Sequence, residues 1–218
     1  MTAPVLFVAL PWERKAVLRA LPDANRVEGI SVPAWTSGAG GVVFHVVQTG
    51  MGQESAGNAT RMWLAQRLPT AALLLGCAGG LQPSLPAGEV VVADVVLTGT
   101  ARYECDRRWV QKLTTAAAAL PTQAGAILSL DHPLLSNDAK LHAGRETGAL
   151  AVEMESAAVA RECAQAGVPF AAARVILDDV ATNVAAERAL GVVGLGDLPL
   201  ELVGQRLTRL VAAIAAGC

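Results

Sequence analysis

The feature that most constrains the fold is a series of short, nearly unbroken apolar runs set between helical patterns and turn residues. The clearest runs cover residues 5–10, 71–75 and 90–97. Apolar runs of this length, without regular polar alternation, are typical of strands buried on both faces of a sheet. They are too short for membrane-spanning helices, which need about 18–20 consecutive apolar residues. The sequence therefore predicts a sheet that other elements cover on both sides.

Helical patterns alternate with these runs along the chain, and Pro22, Pro69 and Gly167 end three of them. Strands that alternate with helices favour an α/β fold with a mainly parallel or mixed sheet. No linker or internal repeat interrupts the sequence, so we predict one domain over residues 1–218. The predicted strands are residues 5–10, 42–48, 71–75, 89–97, 126–130 and 169–177, and the predicted helices are residues 13–21, 54–68, 106–120, 154–166 and 200–216.

Charge and cysteine content exclude several classes of protein. The formal net charge is −2, with acids and bases scattered along the chain, whereas a nucleic-acid-binding protein needs a basic patch or stripe. The four cysteines and three histidines are dispersed and lack the spacing of a zinc site, so we expect reduced thiols and no metal. No basic segment precedes the first apolar run, which indicates a cytoplasmic protein without a signal peptide.

The apolar share of the chain is high. Hydrophobic residues make up 53% of the sequence and the mean hydropathy is +0.42, above the usual share for soluble domains. A buried parallel sheet and a large interface between subunits are the two explanations that the sequence leaves open.

Four candidate positions directly follow predicted strands, and ligands of α/β sheets bind beyond the carboxyl ends of strands. These positions are Glu13, residues 49–52, residues 76–80 and Asp178. Glu13 is either an acid in the first turn of a helix or the group that orients or deprotonates an attacking water. Asp178 is either a helix N-cap or a proton donor to a leaving group.

Glycine dominates the segment Gly-Cys-Ala-Gly-Gly at residues 76–80. Such glycines let the backbone approach a ligand closely, or they simply form a tight turn. The spacing does not match the G-x-G-x-x-G of dinucleotide-binding folds, which disfavours a dinucleotide-dependent oxidoreductase. Leu75 stands where a nucleophile elbow needs glycine, so a nucleophilic role for Cys77 is also disfavoured.

Two acids, Glu153 and Glu155, stand where a short apolar segment meets a predicted helix. An acid near a helix N-terminus is stabilised by the helix dipole by roughly 0.3–1 kcal/mol. Alternatively, a carboxylate at this place can accept hydrogen bonds from two neighbouring ribose hydroxyls, because it is an acceptor-only group. The spacing leaves both interpretations open.

Five short segments, taken together and in order, carry a family resemblance. They are Thr-Gly-Met-Gly at 49–52, Gly-Cys-Ala-Gly-Gly-Leu at 76–81, Ala-Gly-Glu-Val-Val-Val-Ala at 87–93, Val-Glu-Met-Glu-Ser-Ala-Ala at 152–158, and residues 169–178, which end on Asp178. This series resembles the purine nucleoside phosphorylase and methylthioadenosine/adenosylhomocysteine nucleosidase superfamily. The resemblance spans residues 5 to about 180. It implies a twisted mixed β-sheet flanked by helices, a purine nucleoside as the small-molecule substrate, and a homo-oligomer.

The resemblance also implies roles for single residues. Glu155 corresponds to the acid that binds the ribose hydroxyls, and Met154 to the residue that packs against the sugar. Asp178 corresponds to the acid that protonates the purine, and Glu13 to the acid that activates water. Cys77 occupies the place of a serine or threonine near the ribose or phosphate. The full set of predicted substrate-binding residues is Met51, Gly52, Cys77, Ala78, Gly79, Glu153, Met154 and Glu155.

The segments at residues 102–106 and 141–150 are most similar to the hopanoid-associated phosphorylase-like branch. That resemblance implies removal of adenine from adenosylhopane, a nucleoside with a bulky apolar 5′ substituent. Leu177 stands where methylthioadenosine nucleosidases usually carry serine, and residues 136–140 offer Lys140 instead of an aromatic residue to stack on the purine. Both departures argue against methylthioadenosine as the substrate. A methylthioadenosine/adenosylhomocysteine nucleosidase and a futalosine hydrolase stay as alternatives.

Hydrolysis is favoured over phosphorolysis. Phosphorylases of this superfamily place an arginine where this chain has Leu74, which cannot pair with phosphate. A site acid at Glu13 would also repel phosphate. Arg14 and Arg174 offer other positive charges, so phosphorolysis with phosphate as co-substrate stays the alternative.

The resemblance implies no metal and no organic cofactor. A rival from another class is a nucleoside-binding protein without catalysis, which would keep Glu155 but not the chemistry. The presence of both Asp178 and Glu13 argues against that rival.

Overall fold

The computed structural model describes residues 3–39, 41–99, 101–182 and 198–217. Within these ranges the chain alternates strands and helices, as the apolar runs predict. The strands are β1 (Val5–Val8), β2 (Asn25–Arg26), β3 (Ala34–Ala39), β4 (Val42–Gln48), β5 (Ala72–Gly80), β6 (Val90–Leu97), β7 (Arg102–Glu104), β8 (Thr122–Ser129), β9 (Ala151–Glu153) and β10 (Phe170–Asp178). The helices are α1 (Pro11–Arg19), α2 (Gln53–Leu64), α3 (Arg107–Ala116), α4 (Asn137–Thr147), α5 (Ser156–Ala166) and α6 (Leu200–Ala216).

All ten strands belong to one mixed sheet, which confirms the predicted fold class. β10 runs parallel to β5 and antiparallel to β6, and the parallel strands β6, β8 and β9 lead back to β5. Five strands therefore close on themselves. β1, β4, β3 and β2 extend the sheet from the start of the β5 edge that lies opposite β10. The helices flank this sheet, with α1 packed against α6 and α2 against α5.

β5 changes partners along one of its edges. Its start pairs with β1, up to the partners Phe7 and Leu74, and its end pairs with β9, where Gly79 faces Val152. On this edge, residues 75–78 lie between the point where β1 leaves β5 and the point where β9 joins it. On the opposite edge, β10 pairs with β5 throughout. We call residues 75–78 the fork. It leaves backbone groups of a central strand free to bond side chains.

Glycine and polar caps set the ends of the helices around the fork. Ser136 accepts a hydrogen bond from the Ala139 N–H and so caps α4. Gly148 and Gly167 end α4 and α5 with φ of 68° and 67°, a left-handed conformation that costs glycine little. Gly144 places α4 directly on the chain after β5, because a Cβ there would lie 2.4 Å from the Leu81 carbonyl oxygen.

The core accounts for the apolar composition of the described residues. The residues of β1 and most residues of β5 and β10 are buried, and Trp63 and Phe44 lie fully inside. Among the described residues, the large hydrophobic side chains with substantial exposure are Val43, Met62, Leu68 and Leu202. The first explanation of the composition, a buried sheet, therefore suffices for this part of the chain.

Several details differ from the sequence-based prediction: strands β2, β3, β7 and β9 were not predicted, and the helices predicted over residues 54–68 and 106–120 end earlier. Residues 76–80 are not a loop after a strand, because they continue β5 and pair with β10 and β9. Helix α4 was not among the predicted helices. By contrast, β4 and α6 have the predicted bounds. In the described ranges, no helix combines the length and apolar character needed to span a membrane.

Candidate active site

A buried arginine organises the carboxyl ends of the strands around the fork. Arg174 lies in the middle of β10 with none of its side chain exposed. One of its terminal nitrogens, Nη2, donates to Glu153 and, at 3.3 Å, to Oε2 of Glu155. A buried cation requires such partners, since removing it from water is costly. Arg174 thereby links β10 to the segment between β9 and α5.

Glu153 is held by the protein on several sides. Its Oε2 accepts the N–H groups of Glu155 at 3.0 Å and Ser156 at 2.9 Å, in addition to the bond from Arg174. The carboxylate therefore caps the start of α5, where negative charge is favourable. This arrangement favours positioning of Arg174 and Glu155 over direct substrate contact, so the predicted substrate contact by Glu153 stays a prediction.

Glu155 faces the fork from the start of α5. Its Oε1 accepts the Gly52 N–H at 2.8 Å, and Gly52 has a φ of 87° that side chains other than hydrogen rarely allow. Burial, and then the negative charge of Glu153, raise the pKa of Glu155 to about 7, against the opposing effect of Arg174. The group can therefore exist as a carboxylate acceptor near neutral pH.

Glu13 reaches the fork from the first turn of α1. Its Oε2 accepts the N–H groups of Ala9 at 3.0 Å and Leu10 at 2.8 Å, and its Oε1 accepts the Cys77 N–H at 2.8 Å. The last bond satisfies a backbone donor that the divergence of β1 and β9 leaves without a strand partner. Glu13 is 1% exposed. It is thus both the acceptor for the fork and a carboxylate inside the candidate site.

Gly76 is packed closely against Glu13 and Arg174, and only glycine fits at this point of β5. A Cβ at Gly76 would lie 2.6 Å from Nη1 of Arg174 and 2.6 Å from Oε1 of Glu13. Nη1 and Nε of Arg174 are buried and have no hydrogen-bond partner. A buried donor without a partner costs roughly 1–3 kcal/mol, so this position favours a bound group that carries an oxygen atom.

Cys77 lies beside the same two residues. Burial is the main cause that raises the pKa of its thiol well above the usual value, and the negative charge of Glu13 adds to it. The side chain therefore stays a neutral thiol, and a neutral thiol is a poor nucleophile. A thiol in this position can contact a sugar, as the resemblance implies.

Asp178 ends β10 next to the same region. It faces Gly79, whose Cβ would lie 3.3 Å from Oδ2 of Asp178. Lys140 of α4 donates to that Oδ2 at 2.5 Å. Burial raises the pKa of Asp178, while the charge of Lys140 opposes the rise. A buried carboxyl with a raised pKa is suited to general acid chemistry.

The other predicted site residues lie along the same edge of the sheet. Met51 precedes α2 beside Gly52, and Met154 stands between Glu153 and Glu155, partly exposed. Ala78 and Gly79 belong to β5. Sequence reasoning missed Lys140 as a partner of Asp178, and it treated Arg174 only as a spare positive charge. Neither role leaves a local pattern, because the partners of both residues are distant in sequence.

Comparison with known proteins gives a consistent assignment. Residues 5–215 match the model of the phosphorylase superfamily. The 5′-methylthioadenosine/S-adenosylhomocysteine nucleosidase of Geobacillus thermodenitrificans is 30% identical over 203 residues, which cover 82% of this chain and 86% of that protein. The nucleosidase of the same name from Anoxybacillus flavithermus is 31% identical over 204 residues, with 82% and 87% coverage.

Solved structures share the fold at lower sequence identity. The nucleosidase of Neisseria meningitidis, in complex with methylthio-immucillin-A, superposes with a TM-score of 0.85 at 20% identity and covers 100% of both chains. The futalosine hydrolase of Helicobacter pylori gives a TM-score of 0.84 at 19% identity, covering 98% of this chain and 97% of that one. The chain therefore belongs to the phosphorylase superfamily, and it is an enzyme of the kind that cleaves the N-glycosidic bond of nucleosides.

Proposed function

We propose that the protein hydrolyses the N-glycosidic bond of an adenine nucleoside that carries a 5′ substituent. The observation that carries this proposal is the set of acids around the end of β5: Glu13 and Glu155 lie at the fork with the unpartnered Nη1 of Arg174, and Asp178 lies beside Gly79 just after it. The sequence relatives named for adenine nucleosides support the choice of base.

Glu155 binds the ribose in this proposal. Each of its oxygens accepts one protein donor, from Gly52 or from Arg174, and each carboxylate oxygen has a second lone pair to offer. Two neighbouring ribose hydroxyls match these acceptors. Met154, partly exposed beside Glu155, packs against the sugar. As positive charge develops on the ribose, the carboxylate stabilises it.

The attacking water in this proposal binds to Arg174 and Glu13. Nη1 of Arg174 donates a hydrogen bond to the water, and Oε1 of Glu13 accepts one of its protons. Both protein groups are already fixed, Glu13 by three backbone N–H groups and Arg174 by two carboxylates. Such prior positioning lowers the entropic cost of bringing water to the anomeric carbon.

Asp178 donates a proton to the purine as the bond to the sugar breaks. The neutral base is a far better leaving group than its anion, and general acid help of this kind is worth roughly 10²–10⁴ in rate. Burial at the end of β10 raises the pKa of Asp178 and so favours its protonated form.

Hydrolysis is proposed over phosphorolysis because carboxylates line the fork and offset the charge of its buried arginine. Leu74 is fully buried in β5, and Arg174 already binds two carboxylates. Arg14 stacks on Trp35 and bonds to Gln48. The carboxylates of Glu13 and Glu155 would repel a phosphate dianion.

A panel of adenine nucleosides, assayed for free adenine with and without phosphate, tests this function. We expect adenine and the free sugar at rates that do not depend on phosphate. Strict phosphate dependence with a ribosyl 1-phosphate product would reverse the assignment to hydrolysis. Binding of the nucleosides without release of base would instead identify a non-catalytic binding protein.

A bulky apolar 5′ substituent, as in adenosylhopane, is the finer proposal. It is supported by the similarity of residues 102–106 and 141–150 to the hopanoid-associated branch. It is also supported by Lys140, which is directed at Asp178 and does not provide a stacking surface for the purine. Each methylene buried in an apolar channel contributes roughly 0.8 kcal/mol, about fourfold in affinity.

Comparison of kcat/KM for adenosine, methylthioadenosine, futalosine and a series of 5′-alkyl adenosines tests the substituent. We expect kcat/KM to rise with alkyl length. Much faster turnover of methylthioadenosine than of any longer analogue would assign the small thioether substrate, and preference for futalosine would assign the futalosine hydrolase activity.

A further inference from the structure

We infer that Lys140 is a positioning residue of the reaction, which fixes Asp178 and stabilises the carboxylate that remains when its proton leaves with the base. The inference rests on the proposed role of Asp178 as the acid. It adds a residue outside the five segments that resemble the superfamily, on a helix that the sequence patterns did not predict.

The contacts of Lys140 leave it one orientation. Its side chain has no exposed surface, and its Nζ donates to Oδ2 of Asp178 at 2.5 Å, the Asp179 carbonyl oxygen at 2.9 Å and the Thr182 carbonyl oxygen at 2.8 Å. An ammonium group can donate three hydrogen bonds and accept none, so these three bonds use its full capacity. Lys140 therefore acts on the substrate only through Asp178.

The ion pair with Lys140 makes the two carboxyl oxygens of Asp178 inequivalent. Oδ2 is held by Lys140, and in the described part of the chain no hydrogen bond reaches Oδ1. Gly79 provides room for the carboxyl group, since a Cβ there would lie 3.3 Å from Oδ2 and 3.6 Å from Oδ1. Oδ1 is thus the oxygen available to carry the transferred proton.

The proton and the electrons balance as follows in one turnover. The O–H bond at Oδ1 breaks and an N–H bond forms on the purine, while the electrons of the bond between base and sugar pass to the base. Water forms the new C–O bond to the anomeric carbon, and its proton passes to Glu13 and then to solvent. Asp178 is left as a carboxylate beside the Lys140 ammonium, and it regains a proton from solvent after the base departs. The opposite charge at 2.5 Å stabilises the product form more than the acid form, which lowers the barrier.

The charged groups that act on Asp178 are few. Lys140 faces it from α4 and lowers its pKa, whereas Asp179, the next residue in the chain, raises it. From β5 it meets Gly79, which does not titrate. Loss of the Lys140 charge alone should therefore move the titration of Asp178 to higher pH.

Three substitutions separate charge from packing. Lys140→Arg keeps the charge, Lys140→Gln keeps N–H donors without the charge, and Lys140→Met keeps only the volume of the chain. With the nucleoside that the wild type turns over fastest, we expect Gln and Met to lower kcat by about tenfold to a hundredfold with little change in KM, a part of the roughly 10²–10⁴ of general acid catalysis. Arg should recover most of the loss.

The pH profile gives a readout that a purely structural role does not move. kcat requires protonated Asp178 and falls as pH rises through its pKa. Without the Lys140 charge, this alkaline limb should move to higher pH by about 1–3 pH units. In an Asp178→Asn background, Lys140→Met should cause no further loss. An unmoved limb, or full additivity in the double variant, overturns the inference.

A titration without substrate keeps the test independent of the proposed function. Carbon NMR of the Asp178 carboxyl in the free protein should show the same upward shift in Lys140→Met, and equal titration in both proteins would contradict the inference. A wild type that releases no base from any nucleoside would refute the proposed function, while this titration would still decide whether Lys140 controls Asp178.

Discussion

Asp178 is the residue on which the acid step depends. Asp178→Asn removes the transferable proton but keeps the shape of the side chain, so turnover should fall at least about a hundredfold while nucleoside binding stays nearly intact. Single-turnover kinetics and equilibrium binding measure the two effects separately. Asp94→Asn, at an exposed position of β6, is the control and should leave turnover unchanged. Near-normal turnover of Asp178→Asn would remove it from the acid role.

Glu155→Gln should weaken binding and catalysis together. In the variant, an amide N–H group replaces a carboxylate oxygen that accepted a hydrogen bond from a ribose hydroxyl. That hydroxyl loses its acceptor and faces a second donor instead. For the same reason, 2′-deoxynucleosides should be poor substrates of the wild type. Steady-state kinetics on paired ribo- and deoxyribonucleosides measure this, with Glu54→Gln, exposed on α2, as the control. Equal rates on both sugars count against ribose binding by Glu155.

The raised pKa of Glu155 predicts an effect of pH on both activity and stability. Ribose binding needs the carboxylate, so kcat/KM should fall as pH drops through about 7. For stability the sign is opposite. A folded pKa near 7 against an ordinary value of 4.5 means that the folded protein binds the extra proton, so this contribution to stability is lost as pH rises from about 4.5 to about 7.

Glu155→Gln provides the comparison for both measurements. Its kcat/KM should lose the acid limb near neutral pH, and its free energy of unfolding should vary less with pH in that window. An acid limb that persists unchanged in the variant would assign the limb to another group.

At the scale of elements, the fork makes Gly76 indispensable. Gly76→Ala places a methyl group 2.6 Å from Arg174 and Glu13, neither of which can move without losing its hydrogen bonds. We expect a destabilisation of about 1–3 kcal/mol and a loss of turnover larger than that of binding, because the methyl group displaces the two side chains that are proposed to bind the attacking water. Gly38→Ala in β3, where a Cβ meets nothing within 4 Å, is the matched control and should behave as the wild type.

Chemical denaturation and nucleoside kinetics measure the two consequences of Gly76→Ala. If turnover persists in a stably folded variant, Glu13 and Arg174 in their present positions do not bind the attacking water.

Some elements could be predicted from the sequence because their signals are local. β4 and α6 carry a continuous apolar or helical pattern from end to end, and their predicted bounds match. β5 was predicted too short, because its glycines indicate a turn when the neighbouring strands are unknown. Helix α4 has few apolar residues over Asn137–Thr147, so it lacks the pattern that indicates a helix.

The candidate site likewise contains some residues with a local sequence signal and some contacts without one. Glu13 and Asp178 follow apolar runs directly, and Glu155 stands in a recognisable segment, so sequence could single them out. The pair of Lys140 and Asp178 spans 38 residues, and the bond from Cys77 to Glu13 spans 64. Such pairs arise only when the strands are assembled, because no local pattern encodes them.

At the scale of the whole molecule, the fold and the composition lead to one expectation about assembly. The core of the described residues takes up most of the apolar side chains, yet Met62 and Leu68 lie exposed on and just after α2. From these exposed side chains we expect a homo-oligomer, as the sequence resemblance also implies. Sedimentation velocity should show a species larger than 22.4 kDa at micromolar concentration, and a monomer over the whole range would contradict it.

The hydrogen bond from Cys77 to Glu13 has a consequence for how this enzyme tolerates mutation. Glu13 accepts three backbone N–H groups, and each one left buried without an acceptor costs roughly 1–3 kcal/mol. Total stabilities of domains are only about 5–15 kcal/mol. A substitution of Glu13 therefore destabilises the fold as well as removing the activity. Inactive but well-folded descendants should arise more readily through Asp178→Asn, which keeps an oxygen acceptor for Lys140, than through substitutions of Glu13.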